Sequence, residues 1–73
     1  MVELYKELLK HDIGLEVRPV GDGESLQFYF RKGDWCRCIP ISVKLMEEKP
    51  VETEALLLRT VELVLSDYNK FTK

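Results

Sequence analysis

Cys36 and Cys38 flank Arg37 and are the residues of this chain best suited to chemistry. Alternation along a strand puts both thiols on one face, close enough to act on one ion. Structural zinc takes four ligands, and the chain adds only a distant His11. A metal site would therefore need two chains, giving Cys₄ across a two-fold axis. A disulfide between alternate positions of one strand is geometrically poor. Redox work requires a lowered thiol pKa, and the neighbouring Arg37 points to the other face. The plainer reading is two small side chains on a strand, with no metal and no cofactor.

Glu47, Glu48, Glu52 and Glu54 form the other concentration of reactive groups. General acid–base pairs converge on a pocket from different elements. Four acids around one helix start instead interact favourably with its dipole and with water. His11 stands alone at a helix end, and Ser25, Ser42 and Ser66 have no histidine near them in sequence. Gly21-Asp22-Gly23 precedes no helix, so it is a turn and not a phosphate loop. The chain reads as non-enzymatic, with no catalytic residues.

Recognition chemistry is better represented. Arg18, Tyr29 and Arg31 fall on the outward face of a sheet beside the two cysteines, with Lys32 and Trp35 at its rim by a turn. Tryptophan, tyrosine and arginine are enriched in protein-binding hot spots. The same residues stack bases and contact phosphates. The competing reading is that these long side chains simply cover an open sheet.

The element that must position them is a three-stranded antiparallel meander over residues 15–41. Asp22-Gly23 between apolar runs is a strong hairpin signal, because both residues tolerate positive φ. A two-residue loop there pairs Gly21 with Glu24, Leu15 with Phe30, Val17 with Phe28 and Pro19 with Leu26. The second turn, Gly33-Asp34, pairs Lys32 with Trp35 and sets Phe30 opposite Arg37, Phe28 opposite Ile39 and Leu26 opposite Ile41. One face then collects Leu15, Val17, Pro19, Leu26, Phe28, Phe30, Ile39 and Ile41, with Arg37 its one charged member. A one-residue slip would mix charges into that set, so the register is well determined. Pro19 and Pro40 fall in the outer strands, where a missing N–H is tolerated.

A helix over residues 2–10 precedes the sheet, with Val2, Leu4, Tyr5, Leu8 and Leu9 spanning one side. Glu3–Lys6 and Glu7–Lys10 are opposite-charge pairs on the other side, and Gly14 is placed to end the helix in a left-handed conformation. Residues 42–49 form a connector in which Ser42 could cap a short helical turn. Pro50 suits the first turn of a long helix running to about Lys70. Leu57, Val61, Val64, Leu65 and Tyr68 share one face of that helix, with Leu58 at its edge. Leu56 and Leu63 lie on a nearly opposite line beside Arg59, Thr60 and Asp67. Either the first helix covers that line or it is left for another molecule. The fold class is α+β: a two-layer sandwich in the order helix, three-stranded meander, helix, with both helices on one sheet face.

Seventy-three residues accommodate one domain. Such chains rarely draw more than about 3–5 kcal/mol from one core, and many add a second copy. The net charge of −2 implies neither a nucleic-acid arm nor a disordered acidic tail. No apolar run approaches the roughly 20 residues that span a bilayer, and no signal peptide opens the chain. A cytoplasmic protein without a membrane partner is expected.

The element order resembles that of double-stranded RNA-binding domains. In that family lysines at the start of the second helix grip phosphates. Here the corresponding place reads Glu47-Glu48-Lys49-Pro50-Val51-Glu52, which would repel them. The function expected is a protein-binding module that pairs as a homodimer: a small adaptor, a regulatory subunit or a phage-type inhibitor of a host protein. Its partner surface is the open sheet face, and its dimer or partner line is Leu56 and Leu63. Edge-to-edge strand pairing is a second route to a dimer. Single-stranded nucleic acid on the open sheet face is the alternative function.

Overall fold

The computed structural model describes residues 2–21 and 23–71. Helix α1 (Val2–Lys10) leads into strands β1 (Gly14–Val20), β2 (Ser25–Lys32) and β3 (Trp35–Ser42), followed by α2 (Val43–Glu48) and α3 (Pro50–Phe71). The sheet is antiparallel in the order β1-β2-β3. Its register is the one alternation demands: Leu15 faces Phe30, Val17 faces Phe28, Phe28 faces Ile39 and Phe30 faces Arg37.

The second turn is the expected two-residue loop pairing Lys32 with Trp35, and the first differs from expectation. Gly33 has φ +58° while Asp34 stays outside the left-handed region, the pattern of a two-residue type II′ turn. At the first turn Val20 and Ser25 are the last paired residues, so Gly21 and Glu24 lie outside the strands. Asp22 itself lies outside the described residues. The Gly23 N–H donates to the Val20 carbonyl at 3.2 Å, which aims that carbonyl into the hairpin. Alternation then turns the main-chain groups of Leu15, Val17 and Pro19 toward the free edge of β1. By the same rule, counted from the Lys32–Trp35 pair, the Pro40 nitrogen faces the free edge of β3. Both prolines therefore stand where no ladder bond is lost.

Helix α1 ends at Lys10 as expected, but its left-handed stop lies two residues before the glycine. Asp12, not Gly14, takes the left-handed conformation, at φ 55°. The Asp12 N–H donates to the Leu9 carbonyl at 3.3 Å and the Ile13 N–H to the Leu8 carbonyl at 2.9 Å. This is a Schellman closure, and its hydrophobic partners Leu8 and Ile13 are both buried. Gly14 instead opens β1. Ser42 makes no side-chain cap; the first N–H of α2, on Val43, donates to the Glu24 carbonyl at 2.9 Å. Lys49 breaks α2 from α3 because the following Pro50 excludes it from helical angles. Thr53 spans the break, its hydroxyl donating to the Lys49 carbonyl at 2.9 Å.

The core lies between the sheet and the helices. Phe28, Phe30 and Ile41 come from the sheet, Leu57, Val61 and Val64 from α3, and Leu4 and Leu8 from α1, with Ile13 beside them. Thr60, expected on the uncovered line of α3, is buried, its hydroxyl donating to the Leu56 carbonyl at 2.9 Å. Arg37 reaches Asp67 of α3 at 2.8 Å, so this charge on the apolar face is met by the helix above it. The pair is about one-third exposed and contributes under about 1 kcal/mol. Burial of Phe30 is worth about 3 kcal/mol, so packing holds α3 down and the ion pair sets where it lies.

Substitutions at the two left-handed positions should act in opposite directions. Asp12→Gly removes the steric cost of φ 55° and a carboxylate from a helix C-terminus. It should stabilise the chain by about 0.5–1 kcal/mol. Gly33→Ala adds a Cβ that would stand 3.3 Å from Tyr68 Cε1 at φ +58°, and should destabilise by about 1–2 kcal/mol. Thermal unfolding followed by circular dichroism reads both, as opposite shifts of several degrees in Tm.

Candidate functional site

The open sheet face is organised around Glu16, which alternation along β1 places on the same side as Arg18. It sits on β1 directly opposite Tyr29. The Arg18 guanidinium donates to both Glu16 oxygens, at 2.7 Å and 3.1 Å through Nη2. Arg31 Nη2 approaches the Oε2 atom at 3.5 Å. Arg18 also lies over the Tyr29 ring, with Cζ 5.5 Å from the centroid. One carboxylate thus serves two arginines, and one arginine covers a ring face that a stacked base would need. The signal was available: positions 16 and 18 share a face, and Arg31 is the diagonal cross-strand neighbour of Glu16.

Cys36 and Cys38 are free and exposed on this same face. Cys36 is paired with Arg31 across the strands. The Cys38 thiol donates to Gln27 Oε1 at 2.6 Å. Among the described residues, no group of three His, Cys, Asp or Glu side chains could hold a metal ion.

Lys32 and Trp35 do not belong to the open face. Alternation from Phe28 and Phe30 carries Lys32 to the helix-covered side, and Trp35 shares that side with Ile39 and Ile41. Trp35 is half-buried against the core. Lys32 Nζ donates to the His11 carbonyl at 2.6 Å and lies 5.2 Å from the Tyr68 ring centroid. It ties the C-terminus of α1 to β2 and the end of α3. The error came from treating the end of a hairpin as a rim with no face.

Helix α1 is turned so that only Leu4 and Leu8 are buried. A Glu54 oxygen from α3 accepts from the Leu4 N–H at 3.4 Å, so this acid serves the first turn of α1 as well as its own helix. The rotation leaves Val2, Tyr5 and Leu9 exposed, Leu9 at 83%. Tyr5 and Leu9, with Leu8, Ile13, Leu15 and Val17, line an apolar groove of ≈ 470 Å³ along the free edge of β1. Leu56 and Leu63 remain 42% and 44% exposed, so α1 does not cover their line. A second cleft, between α1 and α3, has Leu58, Val61 and Leu65 on its apolar side and Glu3, Glu7, His11 and Glu62 around it. Glu7 approaches His11 there at 3.3 Å in place of the expected Lys10, while the Glu3–Lys6 pair forms at 3.7 Å.

No helix among the described residues is long and apolar enough to cross a membrane. Comparison with protein-family models, with curated proteins and with solved structures gives no match.

The hydrogen bonds from Arg18 hold the Glu16 carboxyl below its ordinary pKa against the opposing effect of desolvation, and the Arg18 and Arg31 charges add to the lowering. Any stability this gives is present above the ordinary glutamate value and is lost as pH falls through the lowered one. A carbon-detected NMR titration should find Glu16 ionising below the ordinary glutamate value, and Arg18→Ala should move it back toward that value.

Proposed function

We propose that this chain is a non-enzymatic protein-binding module that self-associates as a homodimer. The observation that carries the reading is the groove along β1. Leu15 and Val17 belong to the apolar face of the sheet, yet Val17 is left 43% exposed beneath an outward Leu9 and Tyr5. A contiguous apolar patch on a chain this small is the usual mark of an interaction surface. It also fits the arithmetic of a core too small to be generous. The open sheet face with Arg18, Tyr29 and Arg31, and the line of Leu56 and Leu63, are then the surfaces left for a different protein. An adaptor, a regulatory subunit and a phage-type inhibitor of a host protein all fit this description.

Single-stranded nucleic acid on the open face has less support. Tyr29 is covered by Arg18, and the Glu16 carboxylate is shared by both arginines and reduces their combined charge. Light scattering coupled to size exclusion should give twice the 8.6 kDa chain mass at micromolar concentration; a monomer mass throughout would overturn self-association. Immobilised single-stranded oligonucleotides should fail to retain the chain at physiological salt. Retention that falls steeply with salt and is lost in Tyr29→Ala or Arg31→Ala would replace the protein-binding reading.

A further inference from the structure

The free edge of β1 carries a pattern that is complementary to itself. Glu16 and Arg18 lie on its open side, Leu15, Val17 and Pro19 on its apolar side, and Val17 at the centre. We propose that the dimer forms by antiparallel pairing of β1 with β1 of a second copy, with the two-fold axis at Val17, joining the two sheets into one of six strands. This rests on the self-association reading above and names its interface.

Three features select this arrangement. In a ladder centred on Val17, Glu16 of each copy stands opposite Arg18 of the other, while a ladder centred on Glu16 sets the two carboxylates against each other. The outward N–H groups of Leu15 and Val17 all find carbonyls, and Pro19, which has no N–H, is asked only to accept. On the apolar side Val17 meets Val17, and the overhanging Tyr5 and Leu9 of both copies close over the new seam, filling the groove that each chain leaves open. The same patch is used on both copies, as a closed two-fold interface requires. Arg18 keeps its place over Tyr29, so pairing enlarges the open sheet face without dismantling it.

The test uses the full chain and two charge variants, Glu16→Arg and Arg18→Glu. Each alone places like charges opposite each other twice and should weaken dimerisation by at least about tenfold. Mixed in equal amounts they restore opposite charges at every position and should form a one-to-one heterodimer, resolved by native mass spectrometry. Leu9→Glu alters an exposed side chain, so the monomer should keep its circular dichroism while the dimer weakens. In a Cys36→Ser, Cys38→Ser background, Val17→Cys should cross-link to itself under mild oxidation, because paired strand positions lie within disulfide reach. A dimeric parent chain indifferent to both charge variants, whose mixture shows no preference, would overturn this interface and leave self-association standing. A parent chain that is monomeric at every concentration would overturn both.

Discussion

The structure depends on how much sheet a helix can cover. A helix is about 10 Å across and strands lie about 4.8 Å apart, so one helix covers roughly two strands. Helix α3 settles over the side of the sheet formed by β2 and β3, where Phe30, Leu57 and Val64 are fully buried. The other ties follow from that placement: Arg37 meets Asp67, Gly33 passes close under Tyr68, and Glu54 reaches the first turn of α1. Helix α1 has a choice between the remaining strand and the flank of α3, and it leans on α3. The uncovered apolar side of β1 is the remainder of that choice.

Much of this was legible in the residues. The strand register follows from turn chemistry and alternation, because a slip of one position would exchange Phe28 and Phe30 for charged neighbours. Both ends of α1 and the start of α3 follow from apolar spacing and from Pro50. The rotation of α1 was not legible. Five of its nine residues are apolar and spread over half its circumference, so Leu4–Leu8 and Val2–Tyr5–Leu9 are equally good stripes until α3 selects one. The left-handed residue was misjudged for a related reason: glycine is the cheaper occupant of that conformation, but the spacing of Leu8 and Ile13 places the turn at Asp12. Thr60 looked polar and outward because its composition was counted without the bond its hydroxyl makes to its own helix.

The candidate surfaces divide the same way. Alternation put Arg18, Tyr29 and Arg31 on one face, as the structure has them. Applied to the hairpin end, the same rule would have kept Lys32 and Trp35 off it. The role of Glu16 needed three-dimensional neighbours, since its second arginine comes from the adjacent strand. A face that looked basic from the count of arginines is closer to self-neutralising, and its shape follows from one carboxylate held between two guanidinium groups.

Pro40 has a consequence for what the sheet does in a crowded solution. Cys38, Ile39 and Ile41 would otherwise make β3 a short, uncharged, β-branched run at an open edge, the composition from which fibrils nucleate. With its nitrogen turned outward, Pro40 removes a donor from the middle of that edge and interrupts the template there. Endless stacking needs two live edges on every unit. This chain has at most one, so growth by strand addition terminates.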